Sequence, residues 1–154
     1  MTDRTPTELT DTTVDLLQQL IRNACVNDLT ADSGQEVRNA ETLEAFFAEA
    51  LGEDFSVVSM RRFEPHPGRV SVAFTIEGSD PSAEPLTLLG HTDVVPVDEP
   101  KWTKDPFGAE LIDGRIYGRG AMDMLFITAA IAAVTREVAI EAQAGNPPRG
   151  TLTF

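Results

Sequence analysis

Two stretches decide how this chain is read: Leu86-Thr87-Leu88-Leu89-Gly90-His91-Thr92-Asp93 and Tyr117-Gly118-Arg119-Gly120-Ala121-Met122-Asp123-Met124. The first opens as an unbroken apolar run, the pattern of a strand covered on both faces, and ends on a histidine and an aspartate. The second leaves a short strand and runs into an apolar helix. In an open α/β sheet, ligands gather outside the carboxyl ends of the strands. One histidine and two aspartates therefore fall where a ligand is expected, and the remaining sequence reads as scaffold for that corner.

Upstream of it, residues 1–12 are polar and are expected to form a flexible N-terminus, with residues 13–154 forming one domain. Val14, Leu17, Leu20, Ile21 and Ala24 keep helical spacing and predict a helix over 13–27. Residues 27–34 are turn-rich. Val37, Ala40, Leu43, Phe46, Phe47 and Ala50 predict a second helix over 35–51, with Gly52 as its C-terminal cap. Strand signals follow at 55–63 and, more cleanly, at 69–76, around a turn at Pro65-His66-Pro67-Gly68. His66, alone in that turn, reads as a surface residue and not a ligand.

Downstream of Asp93, three prolines and Trp102 predict an ordered surface loop over 94–108. Asp113-Gly114 predicts a two-residue hairpin turn between strands 109–112 and 115–117. Met124, Ile127, Ala130, Ile131 and Val134 predict a deeply buried helix over 121–137. Residues 143–149 read as a linker, and Thr151-Leu152-Thr153-Phe154 as the start of a further strand. The alternation of elements gives an α/β fold, with a sheet flanked by helices.

Composition excludes several classes of function. The net charge of −13, from 25 acidic and 12 basic side chains, repels phosphate backbones and anionic lipid surfaces. Neither nucleic acid nor membrane is expected as a partner. No apolar run reaches the roughly 18 residues of a membrane span, and residues 1–6 lack the plan of a signal peptide. A cytoplasmic setting is expected. Cys25 is the one cysteine, so no internal disulfide forms, and it is expected as a buried thiol on the apolar side of the first helix.

The corner residues suggest a metal site. His91 offers an imidazole nitrogen, and Asp123 a carboxylate able to bind one cation or bridge two. Asp93, two residues past His91 on an extended chain, points to the same side. It is placed to accept the other imidazole N–H and fix the tautomer. Gly118 and Gly120 allow close backbone approach. A dinucleotide reading of Gly118-Arg119-Gly120 fails, because the third fingerprint glycine is replaced by Asp123 where a pyrophosphate would lie. Trp102, Phe107 and Tyr117 read as packing the long loop onto the sheet. Arg119 reads either as the partner of a site carboxylate or as part of a structural ion pair.

The ordered set Leu88–Pro96, Trp102, Asp105-Pro106-Phe107, Asp113-Gly114 and Tyr117–Met124 resembles the co-catalytic zinc peptidases and amidohydrolases. That family includes aminoacylase, succinyl-diaminopimelate desuccinylase, acetylornithine deacetylase and the glutamate carboxypeptidases. The resemblance covers residues 86–133 in detail. It implies a three-layer fold with a mixed sheet, and two zinc ions, with cobalt or manganese as substitutes. By it, His91 binds one ion, Asp123 bridges both, and Asp93 orients His91. A metal-activated water would then cleave a peptide or an N-acyl amino-acid amide bond. Leu125 departs from the lysine that many members carry two positions after the bridging aspartate, which bears on the subfamily.

By the same resemblance, the general-base glutamate and the further ligands would come just beyond Phe154. The chain is accordingly expected to be the N-terminal portion of a catalytic domain, inactive in isolation, from a protein for which a homodimer is the expected assembly when whole. The alternative is a short non-catalytic module that binds a partner through an open sheet edge at Thr151–Phe154.

Overall fold

The computed structural model describes residues 5–52 and 55–154. Helix α1 (Pro6–Arg22) starts seven residues before the expected position. A capping box explains the early start. The Glu8 N–H bonds Thr5 Oγ1 at 3.3 Å, and the Thr5 N–H bonds Glu8 Oε2 at 2.6 Å. Residues 6–12, expected to be flexible, are therefore helical, while residues 1–4 lie outside the described residues. Helix α2 (Val37–Leu51) ends at Gly52, whose positive φ of 67° closes it as expected.

Strand β1 (Ser59–His66) and strand β2 (Arg69–Ile76) form an antiparallel hairpin, with Ser59 opposite Thr75 and Phe63 opposite Ser71. The turn is shorter than expected, because Pro65 and His66 belong to β1. Strand β3 is only Leu86–Thr87. Strands β4 (Glu110–Ile112) and β5 (Arg115–Tyr117) form the expected hairpin, with Asp113 and Gly114 at φ 49° and 73°. Helix α3 (Phe126–Gln143) leads to strand β6 (Leu152–Thr153).

The main sheet runs β1-β2-β6-β3, with β6 antiparallel to β2 and parallel to β3. The expected mixed sheet is present, but its edge is not where the sequence put it. Strand β6 is bonded on both sides, so Thr151–Phe154 offers no open edge, and the edge strands are β1 and β3. A strand that is last in the sequence reads as an edge only until its partners are known.

The core forms between the helices and one sheet face. Val70, Phe74 and Ile76 of β2 point to that face and are buried, while Ser71 is exposed and Ala73 and Thr75 are half-buried on the other. Phe47 of α2 stacks on Phe74 with ring centroids 4.3 Å apart, and Phe154 continues the stack at 6.0 Å. Leu16, Leu20 and Ile21 of α1 and Ala129, Ala132 and Ala133 of α3 complete the interior.

Two burial expectations are corrected. Leu86 and Leu89 are 55% and 84% exposed, because β3 lies at the sheet edge and the helices cover only one face. Helix α3 is buried along one side only, with Phe126, Ile127 and Val134 exposed. Its apolar circumference exceeds what the neighbouring elements cover. Cys25 is buried as expected, yet it lies beyond the end of α1, in a link whose neighbour Val26 bridges Val94. Among the described residues no helix is long and apolar enough to cross a membrane.

Candidate metal site

Three connections bring the site residues together. Strand β3 leads into Gly90-His91-Thr92-Asp93. The link after α1 runs alongside, with the Val94 N–H bonding Cys25 O at 2.9 Å and the Asn27 N–H bonding Val94 O at 2.8 Å. From β5 the chain crosses Gly118 and Gly120 towards α3. A Cβ on Gly120 would sit 2.4 Å from Val94 Cγ1, and its φ of +82° already favours glycine. A Cβ on Gly118 would sit 2.7 Å from Ile21 Cγ2. Gly120 lets the segment carrying Asp123 lie against Val94, next to Asp93, and Gly118 lets it lie against α1.

The approach to α3 is not the helical turn expected from 121 onward. Asp123 is extended (φ −130°, ψ 97°) and Met124 is likewise non-helical, so regular helix begins at Phe126. Asp123 therefore stands on an extended step ahead of the helix, its side chain 93% exposed. The segment is tied down just past it by a 2.9 Å bond from the Leu125 N–H to Gly120 O.

His91 and Asp123 meet. His91 Nε2 lies 3.3 Å from Asp123 Oδ1. The opposite ring nitrogen, Nδ1, faces Asp93 twice, at 3.0 Å from its carbonyl oxygen and 3.3 Å from Oδ1. All three residues picked out from the sequence thus share one cluster, with Asp93 on the side of His91 away from Asp123. The pair also passes a test of fit to a metal. A zinc ion with bonds of about 2.0–2.2 Å at a tetrahedral angle holds neighbouring donor atoms about 3.3 Å apart. The donor set, one imidazole and one carboxylate, suits zinc and its divalent neighbours. Among the described residues no group of three or more His, Cys, Asp or Glu is arranged to hold a metal ion, so the pair brings two donors together and no third.

Residues that sequence reasoning passed over hold the cluster in shape. Thr128, buried on α3, donates to the His91 carbonyl at 2.9 Å. Asn39, fully buried on α2, donates to the Thr92 carbonyl at 2.8 Å. Asn27 donates to Asp93 Oδ2 at 2.9 Å. Each bridges residues far apart in the chain, so no local pattern announces it. Asn39 and Thr128 are polar residues buried on otherwise apolar helix faces, which marks them in the structure but does not name their partners.

His91 lies between two clefts. One, of about 520 Å³, is lined by His91, Val95, Arg119, Met122 and Asp123. The other, of about 360 Å³, is lined by Glu36, Phe63, Arg69, Leu89 and Phe154. Among the described residues Arg119 meets neither of its two expected partners. Its guanidinium stacks over Trp102 at 5.2 Å and reaches the Pro96 carbonyl at 3.4 Å. That contact pins the loop bearing Trp102, as expected for this aromatic, and Phe107 packs against the core.

Residues 87–154 match the family model described as Peptidase family M20/M25/M40. This stretch of the chain resembles that peptidase family. The chain is 36% identical over 140 residues to succinyl-diaminopimelate desuccinylase of Rhodospirillum centenum, an alignment covering 90% of this chain and 33% of that protein. It is 50% identical over 80 residues to succinyl-diaminopimelate desuccinylase 2 of Ruegeria sp., covering 51% of this chain and 19% of the relative. Its fold is similar to an M20 family metallo-carboxypeptidase from Sulfolobus solfataricus, with TM-score 0.59 and 19% identity, covering 95% of this chain and 29% of that one. The chain thus spans about a third or less of the length of these M20 proteins.

Proposed function

We propose that the chain is the front portion of the catalytic domain of a metal-dependent hydrolase that cleaves a peptide or N-acyl amino-acid amide bond. The observation that supports this is the 3.3 Å approach of His91 Nε2 and Asp123 Oδ1, with Asp93 on the other imidazole nitrogen. It falls inside the stretch matching the M20/M25/M40 model.

In this reading His91 and Asp123 hold a divalent cation, zinc in the first instance and cobalt or manganese as substitutes, with two ions in the complete enzyme. When bound, the metal supplies Lewis acidity and lowers the pKa of a coordinated water. The chain's own residues do the positioning. Asp93 accepts a hydrogen bond from His91 Nδ1–H, which fixes the tautomer and leaves the Nε2 lone pair free. Thr128, through the His91 carbonyl, ties the histidine to α3. Gly118 and Gly120 admit the Asp123 segment. The substrate class is a small peptide or an N-acyl amino acid in a cytoplasmic setting, and the whole protein pairs as a homodimer. The 154 residues alone supply two ligands, one fewer than the three protein ligands of a catalytic zinc, and do not turn over substrate.

Metal titration of the pure chain tests this. Weak zinc or cobalt uptake that disappears in both His91→Ala and Asp123→Ala is expected, with no amide hydrolysis. Uptake indifferent to both substitutions would refute the metal assignment, and metal-dependent hydrolysis by the isolated chain that vanishes in His91→Ala would refute the inactivity.

A further inference from the structure

The carboxylate of Asp93 has two oxygens, and the structure gives each a different neighbour. Oδ1 stands 3.3 Å from His91 Nδ1, which also lies 3.0 Å from the Asp93 carbonyl oxygen, while Oδ2 accepts a hydrogen bond from Asn27 Nδ2 at 2.9 Å. The orientation of the Asn27 amide is fixed by its other end. Asn27 Oδ1 accepts the Leu29 N–H at 2.9 Å, closing a turn in which Leu29 takes a φ of +73°. With its oxygen engaged there, the amide presents N–H and not oxygen to Asp93. The backbone is equally constrained, because the Asn27 N–H bonds Val94 O and the Val94 N–H bonds Cys25 O. Asn27, which steadies Asp93 from 66 positions away in the chain, is thus itself held through its amide oxygen and its backbone N–H.

We infer that Asn27 is a positioning residue of the metal site, holding Asp93 so that His91 carries its proton on Nδ1 and keeps Nε2 bare. The inference rests on the reading of His91 and Asp123 as ligands. A residue that merely formed the turn would need only an acceptor for the Leu29 N–H. Aspartate supplies that acceptor as well as asparagine does. It cannot donate to Asp93, and it would set two carboxylates at hydrogen-bond distance, so Asn27→Asp separates the two roles.

The test uses the full chain, labelled with nitrogen-15 and free of metal, at alkaline pH where an imidazole is neutral. Long-range proton–nitrogen spectra report the tautomer of each ring, and His66, the second of two histidines, is an internal reference. The parent chain is expected to show His91 protonated on Nδ1. Asn27→Asp is expected to shift it towards Nε2 protonation, and to weaken zinc binding by about tenfold, as loss of an outer-shell partner does. Asn27→Ala removes the donor without adding charge and should move both readouts the same way, less far. It decides the matter if Asn27→Asp fails to fold. An unchanged His91 tautomer and zinc affinity within about twofold of the parent, in a folded variant, would overturn the inference. If the parent chain bound no zinc, the ligand reading would fall, and with it the role proposed for Asn27. The tautomers of the parent and variants would still show whether Asn27 orients His91.

Discussion

Replacing Gly90 by alanine should destabilise the chain, and replacing Thr128 at the same time should undo much of the damage. Gly90 precedes His91 and lies under α3, where an added Cβ would stand 2.6 Å from Thr128 Oγ1. Its φ is outside the left-handed region, so the backbone tolerates alanine and the conflict is one of space. The new methyl would intrude about 0.8 Å inside the 3.4 Å at which ordinary contact begins. Overpacking of this kind costs about 1–3 kcal/mol, and displacement of the Thr128 hydroxyl from the His91 carbonyl about 1 kcal/mol more. A stiffer unfolded chain offsets about 0.4–1 kcal/mol, leaving a net loss of about 1–3 kcal/mol. Thr128→Ala alone should lose about 1–3 kcal/mol, from the missing hydrogen bond and the space left behind. In the double variant the methyl on residue 90 occupies that space, so the two losses should fall short of additivity by about 1–2 kcal/mol. Urea unfolding followed by circular dichroism measures all three variants against the parent, with an unchanged m value as the check on two-state behaviour. Losses that add to within about 0.5 kcal/mol would refute the contact.

Two further predictions follow from ionisable groups. Cys25 is buried, and its thiol pKa is raised by removal from water, partly countered by the charge of Arg38. A disulfide reagent should label it slowly in native buffer and at once in urea, and rapid stoichiometric labelling of the native chain would contradict its placement. The carboxyl of Asp80 is held below its ordinary 3.8 by hydrogen bonds from Ser82 and by Arg149. Because the folded value is the lower one, its stabilisation is complete above 3.8 and is lost as pH falls through the folded value. Asp80→Asn should therefore flatten the acid side of the stability curve, measured as urea midpoints below about pH 5. Identical acid limbs in parent and variant would count against those bonds.

The sequence made the local part of this fold legible. Strand β2 was readable because Val70, Phe74 and Ile76 alternate with small or polar residues, and the β4–β5 hairpin because Asp113-Gly114 accepts the turn conformation. That His91, Asp93 and Asp123 come together was readable because each lies near an element end, with a fixed offset between His91 and Asp93. The start of α1 had a signal that went unused, since Thr5 and Glu8 have capping-box spacing. The position of β6 and the exposure of Leu86 and Leu89 had none, because an apolar run is the same in a central strand and an edge strand. Asn27, Asn39 and Thr128 act across separations of 66, 53 and 37 residues, and a single sequence carries no mark of such partners.

The central place of β6 also bears on how the chain folds. Thr75 of β2 and Thr153 of β6 are neighbours in the sheet yet 78 residues apart in sequence. The β1–β2 hairpin and the helices can organise through nearer contacts, but β3 has no partner until residues 151–154 arrive between it and β2. Closing so long a loop loses chain entropy before any ladder bond repays it, and topologies rich in such pairings fold slowly. Until that insertion, β2 and β3 both present unsatisfied backbone to solvent, so the interval before β6 docks is when this chain is most exposed to pairing with another.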